Sequence, residues 1–264
     1  MRGLLRKALG IILAAVMIMG SAITAYAEPT QEELLQQYYE ALARQQNGGK
    51  AKAATTFKAF AENFAGAPVS TGNTCLDRCA MDFINTLCTS DMNNYQKLVT
   101  CYDYMSEHGK RDYYARYNYY LPNELYWSGD TSQNVTDAMG FLITGQGDCY
   151  NFSGAFMAIA RQLGFNAYCV RGVCSCSKQM NPTGYTNHQW CVINTGTAEY
   201  LFDPNIECNI AKGKKNNHTR FAKTYSQLQG KYKQYSYDVM VRNFGAPQYN
   251  PFLYYGQTTC EIYM

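Results

Sequence analysis

The sequence contains little histidine and no surplus of either charge. It has three histidines in 264 residues. Three of its 23 Lys and Arg residues and none of its 20 Asp and Glu residues lie within residues 1–27, so the remainder carries 20 of each sign. No long acidic or basic tail is present, and a lysine run at 212–215 indicates a solvated loop. We therefore expect no nucleic-acid partner.

Long apolar runs are also scarce. The run at residues 8–23 is short for a transmembrane helix, which needs about 20 apolar residues. It follows three basic residues and precedes Ala25 and Ala27, which are small residues at the −3 and −1 positions of a cleavage site. We predict a signal peptide over residues 1–27, a secreted product and no stable membrane span after cleavage. An uncleaved membrane anchor is the alternative.

Cysteine, by contrast, is abundant. Eleven cysteines follow the predicted leader, and export would place them where disulfides persist. An odd number leaves at least one thiol unpaired if the others pair completely. A free nucleophile among ten disulfide-bonded cysteines would account for this count, although an anaerobic source would leave many thiols reduced.

Sequence patterns divide the mature chain into a helical N-terminal extension, residues 28–69, and a catalytic domain, residues 70–264. In the extension, Phe57, Phe60 and Phe64 recur at helical spacing and share one face. This face would suit packing on the catalytic domain, but the spacing is equally compatible with a mobile arm.

The first part of the catalytic domain continues with helical spacing. Cys75 and Cys79 are four residues apart and share a face, and a second helix is predicted from Asp91. A tyrosine-rich loop follows over residues 113–126. No internal repeat is visible.

A glycine-rich loop then leads into a predicted buried helix. Gly145 and Gly147 permit a tight approach, Asp148 is a good helix N-cap, and apolar residues continue along one face as far as Leu163. Cys149 therefore occupies the first turn of this helix. Its macrodipole and unpaired N–H groups favour a thiolate and would stabilise an oxyanion.

A thiolate needs a proton partner, and His188 is the histidine with a suitable pattern around it. It opens an alternating, strand-like segment, residues 194–197 form a turn signal, and a second strand ends at Asp203. A four-residue loop between the strands would place His188 directly opposite Asp203, about 5 Å apart at Cβ. Asp203 would then hold one ring nitrogen and leave the other for Cys149.

At these residues the chain resembles the transglutaminase-like superfamily of papain-like cysteine protease fold, in a secreted bacterial form. The matching motifs are Gly147-Asp148-Cys149, His188-x-Trp190 and Phe202-Asp203-Pro204. The resemblance implies an α+β fold in which a nucleophile helix packs on an antiparallel sheet. It also implies that Cys149 is the nucleophile, His188 the general base and acid, and Asp203 the orienting residue. Gln146 is an oxyanion candidate by residue type alone.

The resulting function is thiol-dependent acyl transfer without a cofactor. A cysteine peptidase or hydrolase of peptide or isopeptide bonds is the leading form, with a protein or peptide substrate that includes cell-wall peptides. An amine acceptor in place of water would make the protein a cross-linking transglutaminase. A binding module that retains the fold without catalysis is a further alternative.

A zinc site is the remaining alternative. Five potential ligands lie close in sequence, although their spacing differs from that of paired C-x-x-C knuckles: Cys169, Cys174, Cys176, His188 and Cys191. The Cys-x-Cys pair within this set departs from the superfamily pattern and suggests a local disulfide staple or redox element.

Overall fold

The computed structural model describes residues 56–112 and 133–235. The helices in these ranges are α1 (Phe57–Glu62), α2 (Thr74–Leu87), α3 (Asn94–His108), α4 (Gln133–Thr144), α5 (Cys149–Gln162) and α6 (Pro204–Ala211). The strands are β1 (Lys110–Arg111), β2 (Gln146–Gly147), β3 (Ala167–Ser175), β4 (Tyr185–Asn194), β5 (Glu199–Phe202) and β6 (Tyr232–Gln234).

The main sheet has four antiparallel strands in the order β5-β4-β3-β6. The short strands β1 and β2 form a separate parallel pair, in which Lys110 is opposite Gln146. Helices and an antiparallel sheet thus occur together, which confirms the predicted α+β class.

Helix α5 lies at the centre of the fold and packs on β4, β3, α2 and α4. Its residues from Asn151 to Ala160 are all buried, because apolar or small side chains occur around the whole helix. On the sheet, Cys169 and Cys191 belong to this main core, whereas Cys174 and Trp190 belong to a smaller cluster. The sheet is therefore buried on both faces.

Several predicted elements are confirmed with small shifts at their ends. The helix predicted from Asp91 begins at Asn94, because the Asn93 side chain caps it and Gln96 completes a capping box. Cys75 and Cys79 do lie on one helix, α2. The lysine run at 212–215 is exposed, as expected for a solvated loop.

The N-terminal extension enters the described residues only at α1. Phe57 is buried in the main core, and Phe60 and Phe64 pack against it, so this phenylalanine face lies on the fold. The predicted signal peptide at residues 1–27 and the tyrosine-rich stretch at 113–126 lie outside the described residues. Within the described part of the chain, no helix combines the length and apolar character needed to cross a bilayer.

Candidate active site

Cys149 is the first residue of α5 and is half-buried. The Asp148 carboxylate caps the helix by accepting hydrogen bonds from Tyr150 N at 2.8 Å and Asn151 N at 3.4 Å, and Asn151 Oδ1 accepts one from Asp148 N at 3.0 Å. A Cβ added at Gly147 would lie 2.3 Å from the Asn151 Cβ, so glycine is required where the loop meets the helix. The predicted N-cap and helix-start cysteine are confirmed.

A chain of hydrogen bonds joins this helix to the strand that carries His188. Ser153 Oγ donates to the carbonyl oxygen of Cys149 at 2.6 Å, and Gln189 Nε2 donates to Ser153 Oγ at 2.8 Å. Arg171 Nε donates in turn to Gln189 Oε1 at 2.9 Å. Because Gln189 and Ser153 are buried, these bonds fix the position of the first turn of α5 relative to β4.

His188 lies on β4, is 5% exposed, and donates from Nε2 to Asp203 Oδ2 at 2.6 Å. Burial lowers the pKa of His188, but the Asp203 carboxylate and a hydrogen bond with the Cys149 side chain raise it, and the net pKa is well above the ordinary value. Asp203 occupies Nε2, which leaves Nδ1 as the ring nitrogen available to Cys149. The structure therefore brings the three predicted site residues together.

Asp203 follows β5 and is the N-cap of α6, where its Oδ1 accepts a hydrogen bond from Ile206 N at 2.9 Å. It is 1% exposed. Burial raises the pKa of Asp203, whereas the charge and hydrogen bond of His188 and the hydroxyl of Tyr232 lower it, and the net pKa is below the ordinary value. Each member of the pair thus stabilises the charged form of the other.

The predicted register of the hairpin is wrong by two residues. Glu199–Phe202 pair with Asn194–Cys191, because Thr195 N donates to the Ala198 carbonyl and closes the turn one residue later than expected at each end. Continuing this register places Asp203 opposite Trp190, so Asp203 is the diagonal neighbour of His188. A shift of two residues preserves the face, which is why the side chains still meet.

Tyr232 is the member of this cluster that sequence reasoning missed. It lies on β6, and its hydroxyl donates to Asp203 Oδ2 at 2.6 Å. It is one of 24 tyrosines, lies 29 residues after Asp203, and belongs to no recognisable motif. Gln146, the oxyanion candidate, lies on β2 and is half-buried, and its role stays a prediction.

No disulfide joins any two of the ten cysteines in the described ranges, so the expected pairing of ten cysteines is not seen there. No disulfide joins Cys174 and Cys176 in the structure, and a redox role for this pair stays a prediction. Burial raises the pKa of Cys174 to about 11. Its sulfur is therefore a neutral thiol near neutral pH.

The residues named for a zinc site do not converge. Cys169 and Cys191 are cross-strand partners that face the main core, whereas Cys174 packs in the cluster on the other face with Trp190. Among the described residues, no group of three or more His, Cys, Asp or Glu side chains is arranged to hold a metal. The sheet itself separates the proposed ligands.

A cysteine at a helix start beside a histidine–aspartate pair on an antiparallel sheet is the arrangement implied by the resemblance. Residues 82–198 match the family model of the transglutaminase-like superfamily. The matched segment includes Cys149 and His188 and ends before Asp203.

The solved structures that resemble the chain include the following two. One is a TGase with 16% sequence identity and a TM-score of 0.30, and the match covers 64% of this chain and 38% of that one. The other is a cysteine protease candidate from Cytophaga hutchinsonii with 14% identity and a TM-score of 0.31, covering 61% and 46%. The match spans less than half the length of either structure. No curated protein matches the chain.

Proposed function

We propose that this protein is a cysteine hydrolase that cleaves peptide or isopeptide bonds through Cys149, His188 and Asp203. The observation that carries the proposal is the buried His188, which is hydrogen-bonded at Nε2 to the Asp203 carboxylate and whose pKa is raised in part by the neighbouring Cys149 side chain. A structural histidine needs no thiol at a helix start as its second partner. The superfamily match supports the same class of chemistry.

In the proposed reaction, His188 takes the thiol proton on Nδ1, and Cys149 Sγ bonds to the carbonyl carbon of the substrate. Asp148 accepts from the N–H groups of Tyr150 and Asn151, so the backbone N–H of Cys149 is the group at the start of α5 that we assign to the oxyanion of the tetrahedral intermediate. His188 then gives its proton to the leaving amine as the C–N bond breaks, which leaves an acyl-enzyme. His188 then deprotonates a water molecule, which attacks the thioester carbonyl carbon. The C–S bond breaks, the carboxylic acid leaves, and Cys149 Sγ recovers its proton from His188.

The molecule that accepts the acyl group in the second step decides between two activities that share this mechanism. Water gives hydrolysis, and a primary amine gives a protein cross-link. We place hydrolysis first because water is always available to the acyl-enzyme, whereas an amine acceptor needs a binding site of its own. The proposed substrates are proteins or peptides, including the peptides of a cell wall.

The first test measures thiol reactivity and needs no substrate. The protein is treated with limiting iodoacetamide, and alkylation of each cysteine is followed by peptide mapping. We expect Cys149 to react at least tenfold faster than Cys176, which is also half-buried, because a thiolate reacts where a thiol does not. Equal rates at the two positions would favour a binding module instead.

The second test asks for turnover. The wild-type protein, Cys149→Ala and the matched control Cys176→Ala are incubated with a peptide library, with and without a fluorescent primary amine. We expect cleavage in the wild type and the control and none in Cys149→Ala. Incorporation of the amine in place of cleavage would identify the cross-linking alternative, and activity that survives in Cys149→Ala would refute the mechanism.

We also propose that the protein is exported and cut after Ala27, which supports an extracellular substrate. The supporting observation is the sequence pattern of the first 27 residues. N-terminal sequencing of protein recovered from the culture medium tests this. The expected first residue is Glu28, and a product that begins at Met1 in the membrane fraction would indicate an anchor.

A further inference from the structure

Tyr232 lies on the edge strand β6, directly opposite Cys174 of β3. Its side chain is 7% exposed, and its ring packs edge-on against Trp190 with 5.1 Å between centroids. The hydroxyl reaches past this ring and donates to Asp203 Oδ2. The strand pairing and the ring packing therefore hold a phenol against the carboxylate of the proposed triad.

Three donors converge on the Asp203 carboxylate. His188 Nε2 and the Tyr232 hydroxyl each lie 2.6 Å from Oδ2, and Ile206 N lies 2.9 Å from Oδ1. Oδ2 is thus shared between the imidazole and the phenol. A carboxylate with this many donors stays ionised in a buried site and keeps one rotamer.

The phenol itself remains protonated. Burial and the adjacent Asp203 charge raise the pKa of Tyr232 above its ordinary value, so its hydroxyl is a donor at any working pH. Its proton competes with that of His188 for the same oxygen. The Tyr232 hydroxyl therefore makes Asp203 Oδ2 a weaker acceptor for His188, although Tyr232 itself never transfers its proton.

We propose that Tyr232 is a positioning residue, which holds the Asp203 carboxylate ionised and directed at His188 through each proton transfer. This inference rests on the proposed function. When His188 gives its proton to the leaving amine, Asp203 would otherwise be a buried charge without a cationic partner. Tyr232 and Ile206 N stabilise that charge, and by sharing Oδ2 Tyr232 also makes the imidazolium a better acid.

The test is the titration of His188 in Tyr232→Phe, which removes the hydroxyl and keeps the ring. Imidazole resonances are followed by NMR against pH, and that of His188 is assigned by its loss in His188→Asn. Loss of one donor makes Oδ2 a stronger acceptor for the imidazolium, so we expect the midpoint of His188 to rise by about one pH unit. An unchanged or lower midpoint would overturn the proposal.

Tyr225→Phe is the matched control. Tyr225 is half-buried and packs against this cluster, but its hydroxyl accepts from Trp190 Nε1 and Gln234 Nε2 and does not bind Asp203. We expect no shift of the His188 midpoint in this variant. An equal shift in both variants would show general loosening of the cluster and would also overturn the proposal.

Two further measurements separate the possible failures. If Tyr232→Phe does not fold, the wild-type protein is examined for a Tyr232 hydroxyl proton with a nuclear Overhauser effect to the His188 imidazole, and absence of this contact counts against the proposal. Cys149 alkylation is measured in parallel. Slow alkylation with a raised His188 midpoint contradicts the hydrolase but not the hydrogen-bond relation, whereas fast alkylation without a shift contradicts only the role of Tyr232.

Discussion

At the scale of single residues, Asp203 serves the fold and the site with the same carboxylate. One oxygen caps α6 through Ile206 N, and the other accepts from His188 and Tyr232. The cap fixes the backbone at the end of β5, and this fixes the carboxylate. Asparagine is also a good N-cap, so Asp203→Asn separates the electrostatic role from the capping role.

Asp203→Asn should lower stability most at mildly acidic pH. The pKa of His188 is raised above 6.5, so its contribution is complete below about that pH and is lost as pH rises through the folded-state pKa. The pKa of Asp203 is lowered below 3.8, so its contribution is complete above about that pH and is lost as pH falls through the folded-state pKa. We expect Asp203→Asn to lower the unfolding free energy by about 3 kcal/mol near pH 5, measured by urea unfolding. The difference from the wild type should become smaller at low and at high pH.

A second histidine–aspartate pair in the chain supplies the control. His218 Nε2 lies 2.6 Å from Asp103 Oδ1, but the two side chains are 38% and 33% exposed, so solvent screens this pair. Asp103→Asn should change the unfolding free energy much less than Asp203→Asn at the same pH. Equal losses of unfolding free energy in the two variants would show that burial does not strengthen the Asp203–His188 pair.

The residues of the site differ in how far the sequence could predict them. Cys149 and His188 stand next to local signals, a helix N-cap and an alternating strand, that depend on neighbouring residues alone. Asp203 was predicted from the same hairpin, although in a register displaced by two residues. Tyr232 reaches the site through the pairing of β6 with β3, and pairing between distant segments leaves no local pattern.

At the scale of elements, Gly172 controls how closely β6 approaches β3. A Cβ at this position would lie 2.0 Å from the Lys233 carbonyl oxygen and 2.8 Å from Trp190 Cη2. Both contacts are too short, and one is with backbone, so an added methyl group has to push β6 outward. The strand that carries Tyr232 therefore depends on glycine at the position opposite His188.

Gly172→Ala should destabilise the protein by about 3 kcal/mol through this overpacking, measured by urea unfolding, and should raise the His188 midpoint as Tyr232 leaves Asp203. Gly184→Ala is the control. Its added Cβ meets no atom within 4 Å, so only the left-handed backbone costs energy, about 1 kcal/mol. If the two variants lose the same stability, the close approach of β6 is not needed.

Helices α2 and α3 present the thiol pair best placed to oxidise among those described. Cys88 Sγ, at the C-cap of α2, lies 3.9 Å from Cys101 Sγ of α3. The hydrogen bond between the two thiols lowers the pKa of Cys88. The same bond raises the pKa of Cys101, and burial raises it further. We therefore expect Cys88 to be the attacking member of the pair.

Oxidised glutathione should join these two cysteines first. The Cys88 thiolate attacks the glutathione disulfide and releases one glutathione, and Cys101 then attacks the mixed disulfide and releases the second. Peptide mapping should find the Cys88–Cys101 cross-link, with a gain of about 3 kcal/mol in unfolding free energy. Cys88→Ser should abolish both effects, whereas Cys75→Ser should preserve them. Faster cross-linking at another pair would contradict this prediction.

At the scale of the whole molecule, the predicted boundary between extension and catalytic domain at residues 69 and 70 stays a prediction. Helix α1 lies on the N-terminal side of this boundary, and it nevertheless packs into the main core. The Phe57 ring lies 5.1 Å from those of Tyr200 and Phe202, centroid to centroid. Phe202 immediately precedes Asp203, so a residue of the predicted extension supports the strand that leads to the Asp203 carboxylate.

Phe57→Ala tests whether this packing belongs to the folded unit. Phe57 is 3% exposed, so its removal should cost about 3–5 kcal/mol from lost burial and the remaining cavity, measured by urea unfolding. Lys58→Ala on the same helix is the control, since its pair with Glu62 is exposed and contributes little. Equal small losses would mean that α1 acts as a detachable arm. A large loss confined to Phe57→Ala would show that α1 belongs to the same folded unit as β5, the strand that leads to Asp203.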